Sequence, residues 1–351
     1  MAAHPVSNPP NPWSSTEVEY LEEVPPARLE VFTDHTHQIL SHNDSPDLGF
    51  RYTVNPYRGC GHGCAYCYAR PTHEYLSFGA GTDFDRKIVI KPDAPQLLRQ
   101  ALERPSWVGE LLVFSGVTDC YQPLEASYRL TRGCLEVCAE YRNPVAIVTK
   151  APLIERDLDV LTELSRSARL SIMVSVPIWD RDRARAIEPY VATPQRRIRT
   201  IEKLAAAGLD VGVCVAPLIP GLSDEDIPRI LAAAAAAGAT HAATTFLRLP
   251  GSVRLVFAER LRQNLPLRAE RILSRVREAR GGKLNSSEFG VRHSGQGPYA
   301  ESMRALFLSS CERLGLATGF AAVDQSAEPP PPTTFRRPPP APRPGEQLHL
   351  F

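Results

Sequence analysis

The chain has 351 residues, including 33 prolines and eight cysteines, and a formal net charge of +1. Its length suits one large or two ordinary domains, and 43% hydrophobic with 23% charged residues is typical of globular proteins. No apolar run approaches the roughly 20 residues that span a bilayer, which excludes an integral membrane protein. The first 13 residues lack the apolar core of an export signal, so we expect a cytoplasmic location and reduced cysteines.

Charge is distributed unevenly along the chain. Residues 1–50 carry eight acidic residues and one arginine, whereas residues 248–313 carry thirteen basic and six acidic residues. The near-neutral total is therefore a cancellation between an acidic beginning and a basic later segment. The basic segment fits a phosphate-bearing partner, and it fits a solvated helix surface equally well.

Short apolar runs alternate with helical patterns through most of the chain. We predict helices after Asp93, over 124–141, from near Pro152, from Thr193 with Pro194, and from Ser223, which forms a capping box with Asp226. The alternation predicts an α/β fold, a partial (β/α)6 TIM-like barrel, with a doubly wound open sheet as the competing architecture. The predicted buried strands are 51–54, 111–114, 145–149, 170–176, 211–216 and 242–247.

The predicted catalytic domain, 45–320, is flanked by two segments that we expect to be flexible tails. Residues 1–44 form an acidic, proline-containing N-terminal extension. Residues 321–351 form a disordered tail, because nine of the last 26 residues are proline and few apolar residues occur before its end.

The strongest chemical signal directly follows the first predicted strand, in the segment NPYRGCGHGCAYCYAR. Cys60, Cys64 and Cys67 have the spacing C-x3-C-x2-C, and the intervening glycines permit the tight turns that let thiolates converge. A [4Fe-4S] cluster fits these ligands and keeps its fourth iron open for a substrate or cofactor. The alternatives are a zinc site completed by His62 or His73, and reduced cysteines without a metal.

The C-x3-C-x-aromatic-C loop after the first strand resembles the signature of radical S-adenosylmethionine (SAM) enzymes. The surrounding text, which continues to ARPTHEY, resembles the branch that includes spore photoproduct lyase and its "DNA repair photolyase" relatives. The resemblance implies that Cys60, Cys64 and Cys67 hold the cluster, that SAM binds its fourth iron, and that Tyr66 packs near the adenine. It also implies reductive cleavage of SAM to a 5′-deoxyadenosyl radical that abstracts hydrogen, with an electron donor such as flavodoxin or ferredoxin.

The resemblance further implies contacts to SAM at the ends of successive strands. Ser115, Thr118 and Asp119 end the second strand, where the family binds the SAM amine. Lys150 ends the third strand, where a cation meets the SAM carboxylate, and Ser175 ends the fourth, where a hydroxyl reaches the ribose. Taken alone, each of these polar residues also fits a role in a turn or a cap.

Ile219 and Gly221 lie in a loop after the fifth strand that resembles the adenine loop of the family, GxIxGxxE. Pro217 replaces the first glycine of that pattern, and Asp224 replaces its glutamate. The resemblance implies that this loop contacts the adenine of SAM.

The sequence indicates the substrate less directly than it indicates the cofactors. In spore photoproduct lyase, which acts on a methylene-bridged thymine dimer, a cysteine three residues before the strand-two aspartate returns a hydrogen atom. Gly116 occupies that position here, so the lyase mechanism does not transfer directly. Cys120, Tyr68 and Tyr121 are candidate hydrogen donors or radical relays, and Cys120 also fits a buried structural role.

Other motifs fit a structural role as well as a functional one. The glycine-rich segment 290–301 bears Arg292, His293 and Tyr299, and it fits either a loop that closes over a substrate phosphate or base, or a surface connection. The remaining cysteines are predicted core residues: Cys134, Cys138, Cys214 and Cys311.

The segment 347–351 reads QLHLF and resembles the peptide by which bacterial replication and repair proteins dock on the DNA sliding clamp. Gln347, Leu348, Leu350 and Phe351 are the residues that match, and a proline-rich tether is suited to presenting such an anchor. The alternative is that these residues fold back on the domain.

Together these features predict a bacterial radical SAM enzyme that acts on damaged or modified DNA. A second hypothesis places the same chemistry on RNA, a peptide or a small metabolite. A third is a non-catalytic iron–sulfur scaffold bound to the sliding clamp.

Overall fold

The computed structural model describes residues 28–319 and 333–339. The strands of the described residues are β1 (Glu30–Thr33), β2 (Leu40–His42), β3 (Tyr52–Val54), β4 (Tyr57–Arg58), β5 (Lys87–Ile90), β6 (Leu112–Phe114), β7 (Val145–Thr149), β8 (Leu170–Ser175), β9 (Val211–Leu218), β10 (His241–Phe246) and β11 (Ala317–Thr318). The main element is an eight-stranded sheet in the order β11-β10-β9-β8-β7-β6-β3-β2, and a second sheet has the order β1-β5-β4.

The order of the parallel strands decides between the two predicted architectures. Strands β3, β6, β7, β8, β9 and β10 are neighbours in chain order, and each pairs in parallel with the next. A doubly wound sheet reverses its strand order at one point, and this sheet does not. The partial α/β barrel is therefore confirmed, and its core strands match the six that the sequence predicted.

Helices follow most of the parallel strands and cover the outer face of the sheet. Three 3-10 helices, Arg70–Leu76, Pro152–Asp157 and Asp224–Asp226, complete the helical elements of the described residues. The α-helices are α1 (Thr82–Arg86), α2 (Ala94–Glu103), α3 (Glu125–Tyr128), α4 (Leu130–Glu140), α5 (Leu158–Ser167), α6 (Arg181–Ile187), α7 (Pro194–Ala206), α8 (Ile227–Ala236), α9 (Val253–Asn264), α10 (Pro266–Glu278) and α11 (Gly297–Leu314).

Local sequence signals account for some helix ends and fail at others. The Thr193 hydroxyl accepts a hydrogen bond from the Arg196 backbone N–H at 3.3 Å, so the predicted cap of α7 is confirmed. The single predicted helix over 124–141 is wrong, because Arg129 adopts a left-handed backbone conformation (φ +53°) that separates α3 from α4.

The predicted capping box at Ser223 is also wrong. The Ser223 hydroxyl accepts from the backbone N–H of Ile219 at 2.7 Å instead of capping the helix. The Asp226 carboxylate accepts from the Trp179 backbone N–H at 2.9 Å and pairs with Arg183 at 3.1 Å. Tertiary partners thus take both side chains away from the helix end.

The sheet has two differently packed faces. Its outer face packs on the helices in the largest hydrophobic core cluster, which includes Phe114, Ile147 and Val213. Its inner face carries a small cluster of Met173, Cys214, Ala216 and Ala243, packed with Val148. No helix of the described residues is long and apolar enough to cross a membrane.

Two strands lie within the segment 1–44 that the sequence assigned to an N-terminal extension. Strand β1 pairs in parallel with β5, and β2 pairs antiparallel with β3. Strand β1 is an edge of the three-stranded sheet, and β2 is an edge of the eight-stranded sheet. The part of this segment that begins at Glu30 therefore contributes a strand to each sheet.

Residues 333–339 lie within the segment predicted to be a disordered tail, and for these residues that prediction is wrong. The hydroxyl of Thr333 donates to the Gly109 carbonyl at 2.7 Å, and the backbone N–H of Arg336 donates to the Tyr141 carbonyl at 2.9 Å. The Phe335 ring stacks on Tyr141 with centroids 6.3 Å apart. These contacts lie before β6 and β7, at the amino ends of the barrel strands, opposite the end where parallel barrels bind ligands.

Phe335→Ala should release this segment, because the half-buried ring is its apolar anchor. We expect a loss of about 1–2 kcal/mol in the free energy of unfolding and faster tryptic cleavage after Arg336, measured by denaturant titration and timed proteolysis. Phe335→Leu keeps an apolar anchor and should behave nearly as the wild type. Equal cleavage rates for Phe335→Ala and the wild type would show that the ring does not anchor the segment.

Candidate active site and metal centre

The three cysteines of the predicted cluster lie on the loop that follows β4. Gly59 (φ +78°) and Gly63 (φ +67°) both adopt the left-handed conformation that glycine permits. A Cβ at Gly59 would lie 2.8 Å from His73 Cε1, and one at Gly63 would lie 2.9 Å from Tyr190 Cδ2. No side chain fits at either position, so the loop depends on glycine for its path around the cysteines.

The cysteine side chains are enclosed and share neighbours. Cys60 is 6% exposed and Cys64 is 8% exposed, and Cys67 packs against both of the hydrophobic clusters that contain them. Burial raises the pKa of the Cys64 thiol well above its ordinary value and that of Cys67 to about 11. The thiolates of Cys64 and Cys67 therefore need a compensating cation, which the irons of a cluster supply, whereas His62 outweighs burial and lowers the pKa of Cys60.

The zinc alternative requires His62 or His73 as a fourth ligand. His73 Nε2 lies 2.7 Å from the Lys87 carbonyl oxygen, and His62 Nδ1 lies 3.4 Å from Asp119 Oδ2. Among residues 28–319 and 333–339, no three His, Cys, Asp or Glu side chains are grouped to hold a single metal ion. Two buried thiols and the half-buried thiol of Cys67 on one glycine-shaped loop match the donor set of a [4Fe-4S] cluster, in which each cysteine binds a different iron.

The loop is held in place by a buried arginine. Arg70 is fully buried, and its Nε and one terminal nitrogen donate to the Cys64 carbonyl at 3.0 and 2.8 Å. Its other donors reach the carbonyls of Ala80 and Gly81, each at 2.9 Å, and the Asp85 carboxylate at 2.8 Å. All five N–H groups of the guanidinium are thereby used.

The segment after β6 braces the same loop. The Thr118 hydroxyl donates to the Gly59 carbonyl at 2.6 Å. Gln122, which the sequence reasoning missed, donates to the same carbonyl at 3.1 Å and accepts from the Gly61 N–H at 3.1 Å. The Ser115 hydroxyl accepts from the Cys120 N–H at 3.0 Å. Only the fold could have identified Gln122, because 61 residues separate it from Gly61.

Asp119 is a junction between the cysteine loop and the ends of two strands. Its oxygens accept from the Thr149 hydroxyl at 2.7 Å, the Lys150 backbone N–H at 2.8 Å and the Tyr121 backbone N–H at 3.0 Å. Burial would raise the pKa of this carboxyl, but His62 and these hydrogen bonds outweigh it and lower the pKa to about 2. The contact of Asp119 with the SAM amine stays a prediction.

A buried charged network lies at the ends of β7 and β8. The Tyr66 hydroxyl donates to Glu188, and Glu188 pairs with Arg197 at 2.6 Å. Arg197 also donates to the Ser175 carbonyl at 2.8 Å, and the ammonium of Lys150 lies 5.8 Å from the Tyr66 ring centroid. Tyr66, Lys150 and Ser175 are thus brought together, and their contacts with SAM stay predictions. Glu188 and Arg197 carried no sequence signal.

The aspartate of the predicted adenine loop, Asp224, accepts hydrogen bonds from within and outside that loop. The backbone N–H of Gly221 (φ +77°) donates to Asp224 at 2.8 Å and to the Tyr299 hydroxyl at 3.2 Å. The Tyr299 hydroxyl also donates to Asp224, and Ile219 is fully buried. Asp224, where the family pattern has glutamate, therefore ties this loop to the first turn of α11.

The three relay candidates lie in different surroundings. Cys120 and Tyr121 are buried in the outer core among the helices. Tyr68 is 53% exposed and directly follows Cys67, and its hydroxyl donates a hydrogen bond to the Gly116 carbonyl at 2.8 Å. Cys214, predicted as a core residue, belongs to the cluster on the inner face of the barrel.

Arg70→Met should destabilise the protein by about 3–5 kcal/mol, because it strands the buried Asp85 carboxylate and the Cys64 carbonyl. We also expect reduced iron after anaerobic reconstitution, since the loop loses its anchor. Arg99→Gln is the matched control: that arginine pairs with Glu140 at the surface and should cost at most about 1 kcal/mol. Equal unfolding free energies and iron contents for the two variants would contradict the proposed anchoring.

The chain matches one family profile and is similar to several uncharacterized proteins. Residues 54–234 match the family profile described as "Radical SAM superfamily". Uncharacterized proteins of Mycobacterium tuberculosis and Mycobacterium bovis are 44% identical over 209 residues, or 59% of this chain and 62% of each relative. An uncharacterized protein of Methanocaldococcus jannaschii is 27% identical over 176 residues, or 50% of this chain and 63% of the relative. The matches span less than two thirds of the length of these relatives.

Solved structures share the fold at low sequence identity. Spore photoproduct lyase complexed with dinucleoside spore photoproduct aligns with a TM-score of 0.59 and 14% identity, over 82% of this chain and 81% of that one. A mutant of that enzyme with bound AdoMet and dinucleoside spore photoproduct has a TM-score of 0.60 and 16% identity, over 83% and 81%. The profile match covers more than half of the chain and includes the three-cysteine loop. This chain therefore belongs to the radical SAM superfamily, whose members use a [4Fe-4S] cluster and SAM as cofactors.

Proposed function

We propose that this radical SAM protein is an enzyme that abstracts a hydrogen atom from damaged or modified DNA, as a lesion lyase related to spore photoproduct lyase. The observation that carries the proposal is the position of an exposed aromatic and a half-buried cationic side chain at the end of the barrel that carries the cysteine loop. Tyr68 follows Cys67 directly, and Arg248 follows the end of β10. Cationic and aromatic side chains together suit phosphates and unstacked bases.

The residues of the site take the following roles in this proposal. Bound at this loop, a [4Fe-4S] cluster and SAM supply one-electron reductive cleavage of SAM and hydrogen abstraction from the substrate. Cys60, Cys64 and Cys67 hold the cluster, with electrons supplied by a flavodoxin or ferredoxin. Lys150 faces the SAM carboxylate, and the barrel wall excludes water from the reacting groups.

Among the relay candidates we favour Tyr68. It adjoins a cluster ligand and is half exposed, whereas Cys120 and Tyr121 are buried on the outer side of the sheet. Gly116 offers no thiol, and a Cβ there would lie 3.1 Å from Thr53. Hydrogen return therefore needs a donor other than the cysteine that spore photoproduct lyase uses. We also place the enzyme in the cytoplasm, which suits its eight free cysteines.

The reconstituted enzyme, given dithionite, SAM and perdeuterated lesion-bearing DNA, should transfer deuterium into 5′-deoxyadenosine, which mass spectrometry detects. Perdeuterated RNA and peptide are the competing substrates. Cys60→Ala removes a cluster ligand and should abolish product and lower iron content. Cys134→Ala removes a buried core thiol and should keep its iron.

The outcomes separate the three hypotheses. Label from RNA or peptide alone would contradict a DNA substrate while keeping the radical chemistry. An intact cluster that yields no 5′-deoxyadenosine with any substrate would favour the scaffold.

We further propose that the segment 347–351 docks on the DNA sliding clamp. That segment lies outside the described residues, but the anchored residues 333–339 bear on its geometry. Seven residues lie between Pro339 and Gln347, so the eight residue steps that join them reach at most about 25–30 Å when extended. The anchor is at the amino ends of the barrel strands, so a bound clamp would leave the cofactor end of the barrel free for DNA.

Leu348→Ala with Phe351→Ala should abolish retention of the protein on immobilised clamp, because both apolar anchors are lost. His349→Ala changes the variable position of the motif and should be retained like the wild type. Surface plasmon resonance measures both. Undiminished binding of the double variant would refute the docking role of this segment.

A further inference from the structure

A cluster of three arginines and one carboxylate lies beside the end of β10. Asp47 accepts from Arg292 Nε at 2.7 Å, and its Oδ2 lies 3.6 Å from His293 Nε2. His293 Nδ1 lies 3.2 Å from the Thr245 hydroxyl, and His293 Nε2 lies 3.5 Å from a terminal nitrogen of Arg248. The segment 290–293, whose role the sequence left open, is thereby tied to the end of the barrel that carries the cysteines.

Two of the three arginines are already committed to other groups. Arg292 pairs with Asp47 through more than one nitrogen. Arg280 is buried and donates to the carbonyls of Leu247, Val291 and Arg292 at 2.6, 3.0 and 2.8 Å. Arg292 and the terminal nitrogens of Arg280 therefore hold the loop, whereas the buried Nε of Arg280 has no hydrogen-bond partner among the described residues.

Among the described residues, Arg248 has neither the ion pair of Arg292 nor the carbonyl partners of Arg280. Its buried Nε has no hydrogen-bond partner among the described residues, and one terminal nitrogen faces only the imidazole of His293. Burial, and then the charge of Arg248, lower the pKa of His293 to about 4, so that ring is neutral at neutral pH. Asp47 is the one carboxylate that pairs with any of Arg248, Arg280 and Arg292 among the described residues, so the cluster has an excess of two positive charges.

Arg248 lies at the end of the barrel where parallel barrels bind ligands. It is two residues beyond the end of β10, and one of its terminal nitrogens lies 3.5 Å from His293 Nε2. Phe289 is 56% exposed, with the guanidinium of Arg292 4.5 Å from its ring centroid. The cluster therefore combines cations with an exposed aromatic side chain.

We propose that Arg248 binds a backbone phosphate of a nucleic acid strand, with its neighbour His293 holding the guanidinium in position. The fork of a guanidinium matches two phosphate oxygens, and exposed aromatic rings nearby offer faces on which bases stack. An isolated carboxylate ligand would use the charge but not the aromatic faces. The inference rests on the proposed function and adds to it the residue that contacts the sugar-phosphate backbone.

The test measures by fluorescence anisotropy how tightly a fluorescein-labelled single-stranded oligonucleotide binds at several salt concentrations. The reconstituted proteins compared are the wild type, Arg248→Gln, Arg248→Lys and Arg313→Gln. Arg248→Gln should weaken binding about ten-fold and reduce the slope of log K against log salt by about 0.7. Arg248→Lys should keep the slope, since it keeps the charge, and lose only part of the affinity. Arg313→Gln makes the same charge change on the exposed end of α11 and should bind like the wild type.

The results distinguish failure of this inference from failure of the proposed function. Wild-type affinity and slope in Arg248→Gln, with oligonucleotide bound by the wild type, would overturn the phosphate site alone. A wild type that binds no oligonucleotide would overturn both proposals. If Arg248→Gln loses its iron on purification, Arg248→Lys still decides, because a phosphate fork predicts reduced affinity with an unchanged slope.

Discussion

The candidate site depends on a guanidinium that has no access to water. Arg70 uses all five of its N–H donors on four groups, and two of those bonds go to the carbonyl of Cys64. A buried cation is tolerated only when its donors are satisfied, and Asp85 supplies the opposite charge. The cost of breaking this arrangement makes the cysteine loop rigid without any disulfide or extended secondary structure.

The same loop is locked from the other side by the ends of the parallel strands. Thr118 and Gln122 both donate to the carbonyl of Gly59, and Asp119 joins His62 to the start of the segment after β7. These bonds connect the loop to the strand ends that carry Lys150 and Ser175. The cysteines and the predicted SAM contacts are therefore parts of one hydrogen-bonded assembly rather than separate motifs.

Charge is arranged differently at the heart of the site and at its rim. Glu188 and Arg197 neutralise each other beneath Tyr66, with both side chains almost fully buried. At the rim, Arg292 pairs with Asp47, whereas Arg248 and Arg280 form no ion pair among the described residues. The buried carboxylate of Glu188 is thus paired in the interior, where the cofactors are predicted to bind, whereas the rim retains a positive field that suits a polyanionic substrate.

Much of this protein was readable in the sequence because the signals are local. Buried parallel strands need continuous apolar runs such as Val145–Thr149, and a cluster loop needs closely spaced cysteines and glycines. Side chains that act across the fold had no such signature. Gln122, Glu188 and Arg197 are ordinary polar residues until the strands bring them to the loop, and Phe335 anchors its segment only because Gly109 and Tyr141 form a surface for it.

The sequence by itself determined the fold class and the cofactor family and predicted the metal ligands, since each depends on residue type and spacing within short segments. Only the tertiary structure decided which polar groups are already paired. The oxygens of Asp119 accept hydrogen bonds within the fold, whereas Arg248 forms no ion pair among the described residues, although both are charged residues next to strand ends. The physical reason is that the partner of a charge is set by distances across the folded chain, which residue order does not contain.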